Sequence, residues 1–133
     1  MDGEKGIKPE ILTCRDAIQE VKDCGSRVCN YRFPEFEVHL NQLPPRAAQE
    51  WHYHRQIEEI VVVNSGRLTF CWLEGEEYRE TVVEAGSLVR VKGSLHNFEN
   101  RTDETVNFTV FRMVPDGEDK SSIIKHDRTV VEG

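Results

Sequence analysis

The sequence predicts an all-β chain, folded as an antiparallel sandwich or barrel of short strands. From residue 28 onward apolar residues fall at every second position, as a strand with one buried face requires. Turn-forming clusters recur roughly every 8–12 residues, a spacing that suits hairpin-connected strands. No long helical periodicity alternates with these segments, so a parallel βαβ sheet is not expected.

Residues 1–10 are polar, with Gly3, Gly6 and Pro9, and read as a frayed lead-in. Thr13, followed three positions later by Asp16, resembles a helix N-cap with an acidic first turn. Ala17, Ile18 and Val21 then supply a short apolar face that Gly25 can end, which predicts a short helix over about 14–23. Phe36-Glu37-Val38-His39-Leu40 opens the alternating region. Ile57–Val63, Leu68–Trp72 and Val106–Val110 continue it, through alternation or β-branched residues. Pro44-Pro45, Asn64-Ser65-Gly66, Glu74-Gly75, Ala85-Gly86, Lys92-Gly93 and Asn100–Asp103 punctuate the strands. The expected organisation is an N-terminal segment of residues 1–34, with the helix and a first strand packed on the barrel. A barrel core of residues 35–114 and a tail of residues 115–133 follow. The tail is polar apart from Ile123-Ile124 and Val130-Val131, which are expected to pair with a barrel edge or a second subunit. A homodimer is therefore expected.

The 133 residues fit one domain with a real core. The formal net charge of −7, with no basic stripe, argues against nucleic-acid binding. The longest aliphatic run, Ile60–Val63, is far too short to span a bilayer, so no membrane association is expected. Met1–Lys5 lacks a basic-then-apolar signal pattern, and a cytoplasmic location is expected. Cys14, Cys24, Cys29 and Cys71 match no CxxC motif and are expected to be free thiols in a reducing compartment, with a Cys24–Cys29 disulfide or a fortuitous metal site as the alternatives.

Three of the five histidines sit where a metal site would want them. His52 and His54 flank one residue, and on a strand such a pair shares a face roughly 6–7 Å apart. Two imidazoles at that separation can lean onto one ion about 2 Å from each nitrogen. Glu59 follows after four residues and can return to the site if the chain bends near Arg55-Gln56. Glu58 competes with it; adjacent strand residues face opposite sides, so only one can be a ligand. The six-residue gap to Gly66 favours Glu59. His96 follows Gly93 by three positions and precedes Asn100 by four, which places it at the start of a strand able to face the first pair.

Together these spacings resemble the two cupin motifs. The first motif reads G-x5-H-x-H-x3,4-E-x6-G, matched by His52, His54, Glu59 and Gly66; the second reads G-x5-P-x-G-x2-H-x3-N, matched in type by Gly86, Gly93, His96 and Asn100. The resemblance spans residues of about 35–113 and implies a double-stranded β-helix, the cupin or jelly-roll barrel. It also implies a metal held by His52, His54, Glu59 and His96. Two departures stand out. Arg46 occupies the leading glycine of the first motif, and Gly86–Gly93 is one residue short, with Val91 nearest the proline position.

Around the motifs, Phe98 shares parity with His96 and lines either a pocket or the core. Arg90 is a candidate pocket residue, and His39 is either a pocket residue or a partly exposed strand histidine. Tyr53 is assigned to the outer layer, Trp51 and Trp72 to core or interface, and His126 to solvent. Three imidazoles and a carboxylate suit one divalent transition metal ion: Fe, Mn, Ni, Zn, Co or Cu. The expected function is an enzyme acting on a small oxygen-rich metabolite, with a dioxygenase ahead of an isomerase or decarboxylase. A non-catalytic metal- or ligand-binding sensory module is the alternative.

Overall fold

The computed structural model describes residues 6–131 and contains nine strands in two antiparallel sheets. They are β1 (Ile18–Val21), β2 (Arg27–Arg32), β3 (Phe36–Leu43), β4 (Glu58–Ser65), β5 (Arg67–Glu74), β6 (Glu77–Glu84), β7 (Leu88–Arg90), β8 (Leu95–Glu99) and β9 (Val106–Met113). One sheet has six strands in the order β1-β2-β3-β9-β4-β7; the other has three, β6-β5-β8. The architecture is the jelly-roll barrel that the sequence predicts.

Register explains where the core lies. Val63, Phe108, Asn41 and Val28 lie in one cross-strand row, and Val61, Val110, His39 and Asn30 form the next. The row after that is charged: Glu59, Arg112, Glu37 and Arg32. Directly opposed residues share a face, so all three rows point into the barrel. Burial deepens from the charged row toward the apolar end, where Leu43 and Val106 are fully buried. The facing sheet supplies Leu68, Phe70 and Phe98 to the same cluster. Gly66 closes the β4–β5 turn at φ 85°, with Thr105 O 3.3 Å and Val106 Cγ2 3.1 Å from where a Cβ would stand. A side chain there meets both backbone strain and the packed β9.

Three expectations need correction. The helix over about 14–23 is a single 3-10 turn, Cys14–Asp16, followed by β1. The Thr13/Asp16 pairing is present, with Thr13 N donating to Asp16 Oδ2 at 2.8 Å, but it starts only that turn. Isolated short helices are marginal, and residues 18–21 gain a full ladder by pairing with residues 27–30 of β2. β1 and β2 are thus continuous with the six-stranded sheet, rather than a segment packed on it. Second, Cys14 and Cys29 are disulfide-bonded, with Cα atoms 5.6 Å apart, whereas Cys24 and Cys71 are free. The free-thiol reading failed because spacing along the chain says nothing about which turn folds over which strand. Third, the tail forms a short exposed helix, α1 (Ser121–His126), instead of pairing with a strand edge. The expected frayed lead-in falls partly on residues 1–5, outside the described residues.

The disulfide closes a loop of 15-residue separation. In oxidised, denatured protein a thiol reagent should titrate two groups, rising to four after reduction. Reduction should lower stability by roughly 3 kcal/mol, the chain-entropy scale for a loop of that size. Four reactive thiols before reduction contradict the pairing.

Candidate metal centre

The segment 47–52 runs antiparallel along β8. Gln49 N donates to Phe98 O at 2.9 Å, Asn100 N to Ala47 O at 2.8 Å, and His52 and His96 exchange backbone hydrogen bonds of 2.9 and 3.0 Å. This places the two histidines directly opposite each other, 44 positions apart in the chain as their numbers show. Their ring centroids are 4.5 Å apart, and the His54 ring lies 5.2 Å from His52 and 6.2 Å from His96.

Hydrogen bonds fix two of the rings. His52 Nδ1 lies 2.8 Å from Glu50 O, and His96 Nδ1 2.8 Å from Ser94 O. A carbonyl only accepts, so each Nδ1 carries the proton and each Nε2 presents a lone pair. His96 is fully buried and its Nε2 has no partner among the described residues. Phe98 packs edge-on against it at 5.6 Å, and Phe70 lies 5.7 Å away.

Glu59 completes the group. It is 5% exposed, at the inner face of β4, and its Oε2 lies 3.2 Å from His54 Nε2 without hydrogen-bond alignment. One ligand atom from each of His52, His54 and Glu59 falls within 4.8 Å of the others, an arrangement that could hold an ion. His96 lies outside that tightest group. Arg112, directly across the β4–β9 pair, donates from Nε to Glu59 Oε2 at 2.9 Å. Arg112 escaped the sequence reading, since only the β9 register reveals its partner. Glu58 points away and accepts from Arg90 Nε at 2.7 Å and from Lys92 N at 3.2 Å.

The centre opens onto a cavity of about 530 Å³ between the sheets, bordered by His52, Glu59, Phe98, His39, Asn30 and Arg112 among others. Phe98 is thus both core and cavity wall. His39 is buried and borders the cavity, with Nε2 2.9 Å from Glu37 Oε1, so the partly exposed alternative is set aside. Arg90 does not line the cavity. It is opposite Ile60, in an outward-facing row of β4, and its side chain is solvent-exposed against Glu58. Trp51 and Tyr53 are exposed, Trp72 packs on the core, and His126 is exposed in α1.

A family profile described as the cupin domain matches residues 39–112. The chain belongs to the cupin family. No curated protein matches it. Among solved structures it is similar to a sugar phosphate isomerase of the cupin superfamily from Silicibacter pomeroyi, at 23% identity and TM-score 0.64, covering 80% of this chain and 76% of that one. It is also similar to the Cupin_2 domain of an XRE family transcriptional regulator from Enterobacter cloacae, at 28% identity and TM-score 0.56, covering 68% and 97%. A predicted oxalate decarboxylase from Thermotoga maritima matches at 16% identity and TM-score 0.68, covering 80% and 100%.

Both departures from the cupin motifs now have a physical account. Arg46 keeps a left-handed backbone, φ 62°, where the family has glycine. Its guanidinium bonds Asp103 Oδ1 at 3.0 and 2.7 Å and Arg101 O at 2.8 Å, exposed contacts that tie this turn to the loop after β8. Val91, near the proline position, donates its N–H to Glu59 O at 3.0 Å, a bond a proline lacks. In this cupin the substitution ties the loop before β8 to the strand bearing Glu59.

Burial is the main cause holding the His39, His54 and His96 imidazoles below the ordinary histidine value, against the opposing pull of Glu37 and Glu59. The unfolded chain protonates these groups near pH 6.5, while the folded chain does so only at lower pH. Within that window the unfolded state binds more protons, so stability drops as pH falls. Urea midpoints of ion-free protein should decline from about pH 7 toward pH 5, and His39→Gln should make the decline shallower. A midpoint that is flat over this range contradicts the lowered values of these three imidazoles.

Proposed function

We propose that this cupin is a metal-dependent enzyme, holding one divalent transition metal ion on His52, His54, Glu59 and His96 and acting on a small oxygen-rich metabolite. The observation that carries the proposal is the buried, partnerless Nε2 of His96 beside the Nε2 lone pair of His52. A buried acceptor left empty is costly unless an electrophile meets it. Glu59 adds a buried anion, and a donor set of this kind suits Fe, Mn, Ni, Zn, Co or Cu.

When bound, such an ion supplies Lewis-acid polarisation and, if redox-active, dioxygen chemistry. Dioxygenase activity is the reading put forward, ahead of isomerisation or decarboxylation. The chain's own residues have defined parts. Glu50 O and Ser94 O orient the imidazoles, Arg112 holds one oxygen of Glu59, and Phe70 and Phe98 exclude water behind His96. The ligand-binding module is a second reading, favoured by the 28% identity to the cupin domain of a transcriptional regulator.

Elemental analysis of purified protein should find one ion per chain. His96→Ala should cut affinity by more than the roughly 10–100-fold that loss of an outer partner costs, with the β-sheet circular dichroism retained. Unchanged affinity contradicts the ligand assignment; an unfolded variant points to a structural ion. Fe(II)-loaded protein should then consume oxygen with one member of a panel of small hydroxy acids, keto acids and catechols. Tight binding without turnover supports the module instead.

We further propose that the partner is a second copy of the chain. The outer face of the six-stranded sheet carries Tyr31, Val38, Phe111 and Ile60 in a row that ends at Arg90, with Leu40, Val62 and Leu88 in the next. Leu40, Phe111 and Leu88 are exposed in the single chain. Light scattering should give a dimer for wild type and a monomer for Leu40→Glu/Phe111→Glu. A wild-type monomer, or a dimer insensitive to both substitutions, removes this face from consideration.

A further inference from the structure

A further histidine borders the cavity, apart from the candidate metal centre. His39 belongs to an inward row of β3, is 8% exposed and lines the cavity wall. Its Nε2 lies 2.9 Å from Glu37 Oε1. An ionised carboxylate only accepts, so Nε2 carries the ring's proton and Nδ1 presents the lone pair. Nδ1 has no partner among the described residues, and packing does not seal it as it seals Nε2 of His54 and of His96. The exposed remainder of the ring opens on the barrel interior, the side its row faces. A basic nitrogen is thus open to the same space as the histidine centre. A cavity of about 530 Å³ is roughly 10 Å across if spherical, so a ligand of a few carbons reaches both walls.

The surroundings set the charge of the pair. Glu37 stands between Arg32 and Arg112 in the charged row. The bond from His39, with both guanidiniums nearby, holds its carboxyl below the ordinary carboxylate value. Burial, helped by Arg112, holds the His39 imidazole below the ordinary histidine value, against the pull of Glu37 and Glu59. Glu20 on β1 and Arg32 on β2 are the other charged groups around the pair. The ring is therefore neutral at pH 7, and the carboxylate bonded to it stabilises the imidazolium formed when Nδ1 takes a proton. Glutamine at position 39 would satisfy Glu37 equally well. What imidazole adds is a second nitrogen able to accept a proton.

We propose that His39, positioned by Glu37, is a general base for enolisation, taking the proton from a carbon next to the carbonyl of a small hydroxy-ketone or hydroxy-aldehyde. The C–H bond breaks, an N–H bond forms at Nδ1, and the electron pair moves onto the carbonyl oxygen. Return of the proton to the neighbouring carbon, with a proton passing between the two oxygens, gives the isomer. No oxidant or reductant is needed, so this activity is additional to the dioxygen chemistry proposed above. Only the placement of the carbonyl at the histidine centre rests on the metal reading; the base is argued from His39 and Glu37.

The probes are dihydroxyacetone, D-glyceraldehyde and L-erythrulose, followed by proton NMR in D2O. Zn(II)-loaded protein should exchange the carbon-bound protons next to the carbonyl of at least one of them, faster than free Zn(II) does. His39→Gln, whose amide can still donate to Glu37, should slow that exchange by about 100-fold or more with Zn(II) uptake unchanged. The rate should titrate with a midpoint below the ordinary histidine value. Glu37→Gln should move the midpoint lower still, because the carboxylate raises it; a merely structural Glu37 would leave it in place. In ion-free wild type at pH 7, nitrogen-15 spectra should show His39 neutral with its proton on Nε2, a readout independent of turnover and of any variant's folding. Overturning results are no exchange with any of the three probes, a His39→Gln protein as fast as wild type, a midpoint unmoved by Glu37→Gln, or a His39 proton on Nδ1. If the protein takes up no Zn(II), the metal reading fails. The same exchange series on ion-free protein, with the nitrogen-15 spectra, then decides the base separately.

Discussion

The backbone pairing of His52 with His96 is the constraint on which the site depends. Those hydrogen bonds, of 2.9 and 3.0 Å, join an irregular segment to a regular strand. They bring side chains from two separate motifs to one face, where neither motif alone can assemble a site. The segment is held at its other end by Asn100. That buried side chain donates to Leu43 O, Pro44 O and Glu104 O, and its oxygen accepts from Thr102 N. One amide thus satisfies backbone groups on both sides of the loop, as an irregular buried connection requires. It fixes the start of that path, where the chain leaves β3 at Leu43 and Pro44.

Glu59 shows how the large sheet contributes to a centre built mainly on the other wall. It ends an inward row whose members alternate in sign: Arg32, Glu37, Arg112, Glu59. Exposure falls from Arg32, at the rim, to Glu59, which is buried. A buried carboxylate without a cation is unfavourable, and Arg112 meets that need from the neighbouring strand. A cation arriving at the histidines would share Glu59 with Arg112, whose Nε bonds the same Oε2 that lies 3.2 Å from His54 Nε2. The apolar rows beneath keep this charge pattern from collapsing inward. Val61, Val63, Phe108 and Val110 fill the barrel floor and fix the height of the charged row.

The strands and the centre were largely legible in the sequence because both are written in spacing. Alternation reports which face is buried, and His-x-His with a glutamate and a glycine at set distances reports a turn and two inward positions. What escaped is information that exists only across strands. Arg112 looks like an ordinary strand residue until register sets it opposite Glu59. Arg90 has the same problem in reverse, since its closeness to the second motif along the chain does not survive its outward row. The N-terminal error arose from local signals. Thr13 and Asp16 do start a turn, but non-local pairing with β2 outcompetes continued helix, and the Cys14–Cys29 bond lies on that same fold-back. Spacing also could not show His39 to be buried, because alternation gives parity and not which sheet lies above it.

Polar satisfaction is unevenly distributed in this cupin. The loop amide of Asn100, the Arg46 clamp and the Val91 N–H to Glu59 O are fully committed within the protein. They stiffen the connections on which the histidines stand. The Nε2 lone pair of His96 is buried by the same packing but is given nothing to bind among the described residues. Folding alone gains nothing from such atoms, since an apolar residue of equal volume would serve the core better. That cost, beside the Nε2 lone pair of His52, is what the proposed ion would repay.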